Sequence, residues 1–461
     1  MTLTLGHKID MLHGSLWDKL ILFAFPLAMT AFLEQLFNAG DIAVLGRYMG
    51  KDAVAAIGNN LALIGVFVNL FLGLALGANV VIARCIGAEQ DRQANEGVHT
   101  AWLLSLVAGF LIMIVGQLIT NPIMQLLAVP PEVESMAEVY LRVYLLGIPA
   151  ISLYNFEAAI FRSRGDTATP LVSLLVASLL NIILNIWFVQ WFANGVAGVA
   201  AATVISISIS ALFLLWRLIR SHDVLHLSLA HMRVNRKLLK EMILIGYPAA
   251  LQGMVFSMSN MLIQEVINSL GAAAMAASAI SIAIELAVYC IILSFSQAAT
   301  TFVSQNYGAG QEKRCSQILW WCLGLNILFT AIACTIIMYY AYAIIGFFDN
   351  DSDVLRLGVE RMWYVVAPEG IQIFIDIFSG AMRGYGFSLA PAVLTMVGVC
   401  GVRLTWVYTI FDSMHTFAGL MVVYPISWIV TGFFIVILYA YFKGHVIKHW
   451  RNFVAESRPL S

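Results

Sequence analysis

The sequence predicts an all-α integral membrane protein with twelve transmembrane helices in two parallel-repeat six-helix lobes. Three observations lead to this prediction. Of the 461 residues, 61% are hydrophobic and only 11% are charged, against about 25% charged in an average soluble chain. The apolar residues fall in twelve long runs, and the second half of the chain repeats the first. A soluble globular protein is therefore excluded.

The apolar runs set the limits of the predicted spans. A bilayer core about 30 Å thick needs about 20 apolar residues per helix, whereas a membrane barrel would show short strands of alternating polarity. The predicted spans are 17–44, 54–82, 97–120, 134–160, 168–192, 196–217, 238–268, 273–303, 316–342, 354–380, 387–411 and 417–442. The first run is too long and too polar for a cleaved signal peptide, so we expect it to be retained.

Basic residues are distributed unevenly between the two sides of these spans. An even number of spans places both termini on one side of the membrane. The termini and the connections on that side, with the adjoining span ends, carry 19 of the 25 Lys and Arg residues. Because cytoplasmic loops are enriched in Lys and Arg, both termini are predicted to be cytoplasmic. The net charge of -1 gives no indication of a nucleic-acid partner.

The two halves of the chain match one another at a shift of 221 residues. The coinciding residues include Gly50 with Gly271, Gly87 with Gly308, Arg162 with Arg383, Gly165 with Gly386 and Pro170 with Pro391. Six spans per repeat give both halves the same orientation, as in transporters that move one half against the other. The predicted organisation is an N-lobe over 1–220, a cytoplasmic linker over 221–237, a C-lobe over 238–445 and a cytoplasmic tail over 446–461.

Two acids lie inside the first predicted span. An ionisable side chain at the bilayer centre costs about 2.5–3.5 kcal/mol on insertion scales, so such residues are candidate functional groups. Glu34 and Asp41 are seven residues apart and share one helix face. Gln35, beside them, is a predicted polar contact for the substrate, and Pro26 weakens the helix about two turns earlier. These residues predict an ion-coupling site with a bending point; hydrogen bonding to neighbouring helices alone is the alternative.

Neutral polar side chains in the same half are the predicted partners of this site: Asn155, Asn181, Asn185 and Thr203. Their oxygens could ligate sodium, for which Asp41, Asn181 and Asn185 are the predicted ligands, or could hydrogen-bond a protonated acid. Interhelical hydrogen bonding without ion binding is an equally good explanation of the amides and the hydroxyl.

The second half carries its own polar residues within spans. Glu285, Asp376 and Tyr289 are too central to be loop residues, and they predict a second ion site or a surface for a cationic cargo. A buried pair with Arg403 is the alternative for Asp376.

Glu157 lies nearer the end of the fourth span, and we expect it to pair with Arg162 or Arg164.

Several motifs are missing from the sequence. There is no G-x-x-x-x-G-K-[ST] phosphate-binding loop, which argues against ATP hydrolysis by this chain, and no H-E-x-x-H metalloprotease motif. We therefore expect a protein that is not an enzyme and binds no cofactor or metal, apart from a coupling proton or sodium ion.

One set of residues resembles a known family. It comprises Pro26, Gln35-Leu36-Phe37-Asn38, Asp41, Val44-Leu45-Gly46-Arg47, Gly87-Ala88, Leu153-Tyr154-Asn155, Phe161-Arg162-Ser163-Arg164-Gly165-Asp166-Thr167, Thr169-Pro170, Asn181-Ile182-Ile183-Leu184-Asn185, Gly195-Val196-Ala197-Gly198 and Ala202-Thr203. Taken together, these residues resemble the bacterial-type multidrug and toxic compound extrusion (MATE) transporters. The resemblance implies twelve helices in two lobes and export of organic, often cationic, compounds in exchange for protons or sodium.

The resemblance also implies roles for single positions. Asp41 matches the first-span aspartate, a proposed ion carrier of the family, and Pro26 matches the proline at which that helix bends. Asn181 and Thr203 match polar members of the same site.

Two positions depart from the family pattern. Asn185 stands where many relatives have Asp, and Glu34 stands where many have Gln, which leaves the choice of coupling ion open.

We therefore expect a secondary active multidrug exporter that works by alternating access. The expected partners are the lipid bilayer and small amphiphilic organic cations, drawn to a mainly acidic interior. The protein is expected to be a monomer in a bacterial or archaeal inner membrane. A flippase for lipid-linked precursors, which has a related fold, is the alternative; such proteins usually carry additional spans and a basic cavity.

Overall fold

The computed structural model describes residues 8–126, 131–191 and 195–446, and the regular structure in these ranges is helical. The first half contains α1 (Trp17–Tyr48), α2 (Lys51–Gly87), α3 (Asp91–Leu126), α4 (Pro131–Leu146), α5 (Ile148–Ser163), α6 (Ala168–Trp191) and α7 (Gly195–Ile219). The second half contains α8 (Arg236–Ser269), α9 (Ala272–Gly308), α10 (Glu312–Tyr339), α11 (Ala341–Phe348), α12 (Ser352–Tyr364), α13 (Gln372–Gly384), α14 (Leu389–Phe411) and α15 (Phe417–His445). The predicted tail, apart from its first residue, lies outside the described residues.

The described helices agree with the predicted number of spans. Eleven segments are long and apolar enough to cross a membrane when α12 and α13 are taken together, and the bent pair α4–α5 makes a twelfth. An all-α fold of membrane-spanning helices is thereby confirmed.

Two predicted spans are broken in the structure. Within 134–160, α4 and α5 meet at Gly147 with a bend of 47°. Within 354–380, α12 and α13 are separated by a turn that contains Pro368. Proline has no N–H to continue a helical hydrogen-bond ladder, and Pro149 follows the first break as Pro368 lies in the second. The apolar runs continue across both breaks, so hydropathy alone did not reveal them.

The internal repeat is visible in the backbone. Helices α2 and α9 are each 37 residues long and begin 221 residues apart. Each is preceded by a glycine in the left-handed region, Gly50 with φ 84° and Gly271 with φ 102°. The turns after α5 and α13 likewise hold Gly165 with φ 91° and Gly386 with φ 88°. Equivalent positions therefore have equivalent conformations, which confirms the repeat.

Glycines let α2 of the first lobe approach α8 of the second. A Cβ on Gly73 would overlap the backbone of Ala250, and a Cβ on Gly77 would overlap the carbonyl of Met242. Small residues at such positions permit close helix contact in membrane proteins, where packing rather than hydrophobicity drives association.

The two lobes are also hydrogen-bonded near one end of the molecule, which we call the terminus face because it carries both the N-terminal segment and the interlobe connection. The Thr301 hydroxyl donates to Asn79 Oδ1 (2.9 Å), and the Ser304 hydroxyl donates to the carbonyl of Val80 (2.6 Å). Gln305 Nε2 donates to a carbonyl of the first lobe at 2.6 Å. These contacts hold the lobes together at the terminus face.

Candidate ion site and central cavity

A buried carboxylate forms the centre of the first-lobe site. Asp41 of α1 is 3% exposed. The Thr203 hydroxyl of α7 donates to Asp41 Oδ2 (2.7 Å), and Asn185 Nδ2 of α6 donates to Asp41 Oδ1 (2.6 Å). Asn181, one turn before Asn185, donates from Nδ2 to Thr203 Oγ1 (3.1 Å) and accepts from Asn185 Nδ2 at 3.0 Å. The structure therefore brings four of the predicted site residues into one network.

The chemistry of this network suits a small cation. Within the described residues, Asp41 has no Lys, Arg or His partner within 4.0 Å, so its hydrogen bonds come from neutral groups. The carbonyl oxygen Asn185 Oδ1 is buried and has no hydrogen-bond partner there. A hard cation such as sodium prefers oxygen donors, and carboxylate and amide oxygens supply them. A proton on Asp41 would equally remove the uncompensated charge.

Two tyrosines of α4 complete the surroundings of Asp41. Tyr140 and Tyr144 are buried and stack on each other, with ring centroids 6.2 Å apart and planes inclined by 22°. Both interact electrostatically with Asp41. Sequence reasoning missed them, although a Tyr pair four residues apart on one helix face was the available signal.

A cavity of about 610 Å³ lies between the lobes. Three predicted residues of each lobe line it: Glu34, Gln35 and Asn155 of the first, and Glu285, Tyr289 and Asp376 of the second. Thr203 belongs both to the cavity wall and to the Asp41 network. The predicted residues thus divide into the buried hydrogen-bond network of Asp41 and a cavity wall.

Glu34 and Asn155 do not join the Asp41 network. Glu34 makes no hydrogen bond to Asp41, and Asn155 Nδ2 donates instead to the carbonyl of Ile151 at 2.9 Å. Glu34 and Arg162 both line the cavity but lie too far apart for an ion pair.

The charges of the cavity wall are balanced. The lining carboxylates are Glu34, Glu285, Glu369 and Asp376, and the lining guanidiniums are Arg162, Arg361, Arg383 and Arg403. The expected mainly acidic interior is therefore wrong. Arg162, Arg361 and Arg383 lie close to the ends of apolar runs, where the sequence does not distinguish them from loop residues.

The family profile for MatE matches residues 26–187 and again 248–409. The chain belongs to the MatE family. The two matches cover corresponding parts of the two lobes, as expected for a duplicated MATE transporter.

Relatives and solved structures agree with this assignment. The chain is 24% identical over 443 residues to the Bacillus subtilis protein named Probable multidrug resistance protein YoeA, covering 93% of this chain and 94% of the relative. It is 26% identical over 391 residues to the Thermotoga maritima protein named Probable multidrug resistance protein NorM, covering 84% of each. A MOP superfamily transporter from Pyrococcus furiosus superposes with a TM-score of 0.87 at 21% identity, covering 95% of this chain and 98% of that one.

In this MATE-family chain, the second-lobe acids have different partners from those expected. Arg361 Nη2 donates to Glu285 Oε2 (2.8 Å), so Glu285 lies in an ion pair. Asp376 interacts electrostatically with Arg383, and Arg403 is not within ion-pair distance of it. The alternative of a buried Asp376–Arg403 pair is therefore wrong.

Glu157 of the MATE-family chain also differs from expectation. Its side chain is fully buried, and Trp102 Nε1 donates to Oε1 at 3.1 Å. Arg164 pairs with Asp223 instead, at 3.3 Å. The expected pair of Glu157 with Arg162 or Arg164 is wrong, because Glu157 is buried in the packing of α5 against α3, where Trp102 is its hydrogen-bond partner.

Proposed function

We propose that this MATE-family protein is a secondary active multidrug exporter that exchanges organic compounds for protons or sodium by alternating access. The observation that carries the proposal is the Asp41 network, in which a buried carboxylate is held by neutral donors and has no cationic partner among the described residues. The names of the YoeA and NorM relatives support multidrug export as the activity.

The proposed mechanism couples the network to the cavity through α1. Asp41 binds the ion, while Glu34 and Gln35, about two turns earlier on α1, form part of the cavity wall. Binding a cation at Asp41 neutralises a charge that otherwise attracts the donors on α6 and α7, so the position of α1 changes with ion occupancy. Pro26 lies within α1, which is a single helix in this structure. Because proline removes a backbone hydrogen bond, α1 bends more easily at this position.

The lobe contacts support an alternating cycle. Hydrogen bonds join the two lobes at the terminus face in this conformation, which supports release of cargo on the opposite side of the molecule. We propose that the terminus face is cytoplasmic, that the lobes extend over 1–220 and 238–445, and that they separate there when cargo is loaded.

The competing flippase function calls for a basic cavity that binds a diphosphate. Four guanidiniums balanced by four carboxylates do not supply one, so export of smaller organic compounds is favoured.

The test is an Asp41→Asn variant reconstituted in vesicles. Asn keeps the size of the side chain but cannot be neutralised by a proton or bind sodium as a charged ligand. We expect gradient-driven efflux to fall to background, while Asp18→Asn, at the other end of the same helix, retains it. Undiminished efflux by Asp41→Asn would disprove the proposed coupling role.

The coupling ion is identified with the same vesicles. A sodium pulse at constant pH and a pH jump at constant sodium are applied separately to cargo-loaded protein. The pulse that releases cargo from the wild type, but not from Asp41→Asn, identifies the ion.

A further inference from the structure

Two guanidiniums share one aromatic ring at the second-lobe end of the cavity. The Arg403 Cζ lies 4.3 Å from the ring centroid of Tyr424, and the Arg361 Cζ lies 5.4 Å from the same centroid. Each arginine is 1% exposed, and both line the cavity. Placing two desolvated cations against one ring costs free energy unless negative charge compensates them.

The compensation within the described residues is incomplete. Glu285 pairs with Arg361 at 2.8 Å, and the remaining lining carboxylates form no ion pair with either guanidinium. Arg403 is bound only by neutral groups: its Nη1 donates to Asn260 Oδ1 (3.0 Å), and its Nε donates to the Ser427 hydroxyl at 3.4 Å. This cluster of two guanidiniums and one paired carboxylate therefore keeps one positive charge.

Hydrogen-bond donors in the cluster are also left over. A guanidinium has five N–H donors, and Arg403 Nη2 makes no hydrogen bond to a described residue. Arg361 Nε and the indole Nε1 of Trp428 are buried without an acceptor there. Trp428 lines the same cavity and lies edge-on to Tyr424, with centroids 6.0 Å apart. The buried atoms of the cluster that lack a partner are both donors, and the charge of the cluster is positive, so an anion is the partner that fits it.

We propose that Arg403, Arg361 and Trp428 form a subsite for one singly charged anionic group of the cargo, a carboxylate or a sulfonate. The cargo then includes organic anions and zwitterions, whose aromatic or aliphatic part lies against apolar cavity residues such as Phe256 and Ile263. Fork-shaped guanidiniums bind such oxyanions through paired hydrogen bonds. The inference rests on the proposed export function for its cargo, but binding to the subsite needs no ion gradient.

The test compares two dyes that differ in one charge. Tetramethylrhodamine carries a free carboxylate, and its methyl ester has the same rings without that anion. Fluorescence anisotropy measures the Kd of each dye for the purified full chain in detergent, with empty micelles as the blank. We expect the wild type to bind the acid at least about tenfold more tightly than the ester, since hydrogen bonds to charged groups contribute about 1.5–3 kcal/mol.

Substitutions at Arg403 and at Glu285 are expected to change the dye preference in opposite directions. Arg403→Gln should bring the Kd ratio of ester to acid close to one, with little change in the Kd of the ester, and Arg403→Lys should preserve part of the preference. Glu285→Gln should raise the ratio severalfold, because it removes the only carboxylate paired within the cluster. If Arg403→Gln does not fold, as judged by its elution profile and melting temperature, Glu285→Gln decides the question.

The proposal is overturned if the wild type binds both dyes equally, or if folded variants leave the ratio unchanged. Failure of the export proposal appears differently, as dye binding with the expected ratio but no gradient-driven transport. The two proposals can thus fail separately.

Discussion

The Thr203 hydroxyl donates to Asp41 Oδ2 across 2.7 Å and joins α7 to α1 through a single hydrogen bond. Thr203 also lines the cavity, so the same side chain touches the ion network and the space proposed for cargo. In the proposed mechanism, Thr203 therefore gives a second connection, besides α1, between ion binding at Asp41 and the cavity wall.

Thr203→Val tests this connection. Val has the shape of Thr but cannot donate a hydrogen bond, and a bond to a charged acceptor contributes about 1.5–3 kcal/mol. We expect the initial rate of gradient-driven efflux to fall by roughly tenfold or more, measured in vesicles at matched protein content.

Thr203→Ser is the matched control for this prediction. It keeps the hydroxyl and removes a methyl group, so efflux should stay within about twofold of the wild type. An equal loss of efflux in both variants would show that the methyl packing, not the hydrogen bond, is what the site requires.

Glycine at position 77 is predicted to be necessary for closing the lobes. The Cβ of Gly77→Ala would overlap the Met242 carbonyl, which belongs to the α8 backbone and cannot rotate away. Overpacking of this kind costs about 1–3 kcal/mol, so the melting temperature in detergent should fall by several degrees. Gly324→Ala, on a helix with nothing within 4 Å of the new Cβ, should have no such effect. Equal melting temperatures for the two variants would contradict the close approach of α2 and α8.

The sequence predicted the repeated helices well because their signals are local. Twenty-residue apolar runs, and glycines recurring at a 221-residue shift, are visible without any knowledge of packing. The Asp41 network was predictable for the same reason, since Asp41 and Asn185 are polar residues inside otherwise apolar runs.

The cavity charges could not be predicted because they depend on the direction in which side chains point. Arg361 and Arg383 lie near the ends of broken or short helices, where a linear sequence does not distinguish a loop arginine from one that turns inward. The break at Pro368 separates the helices of Arg361 and Arg383, and only the packed structure shows that Arg361 meets Glu285.

The terminus face is predicted to lose stability in acid through Asp223. Lys8 and the Ser221 hydroxyl hydrogen-bond its carboxylate, and Arg164 Nε lies 3.3 Å away. Burial raises the pKa of Asp223, but these partners and the Leu225 N–H outweigh it and hold the pKa below its usual value of 3.8. A carboxyl group whose pKa is lower in the folded than in the unfolded protein stabilises the fold at pH values above the unfolded-state pKa. This stabilisation is lost as the pH falls through the folded-state pKa.

Asp223→Asn provides the measurement for this prediction. At neutral pH the variant should melt earlier than the wild type, by an amount equivalent to about 1 kcal/mol for a partly exposed charge cluster. The difference should shrink as the pH falls below about 4, where Asp223 of the unfolded chain becomes protonated, and it should vanish below the lower pKa of the folded protein. Asp91→Asn, at an exposed site, is the control and should melt like the wild type at neutral pH. A difference that stays constant down to the lowest pH would rule out the charge as its cause.

The Trp102–Glu157 hydrogen bond is predicted to stabilise the first lobe. Glu157 is fully buried, Trp102 Nε1 is the donor to its Oε1, and its Oε2 has no partner among the described residues. Trp102→Phe removes the donor, and leaving a buried acceptor unpaired costs about 1–3 kcal/mol. The melting temperature should therefore fall.

The control for this prediction is a double-mutant cycle with Glu157→Leu, which removes the acceptor and fills the same space with apolar atoms. Trp102→Phe should cost markedly less stability in the Glu157→Leu background than in the wild type, because no buried carboxyl then lacks a donor. The same cost in both backgrounds would mean that Trp102 stabilises the lobe by ring packing alone, and Glu157 would then need another explanation for its place inside the helix bundle.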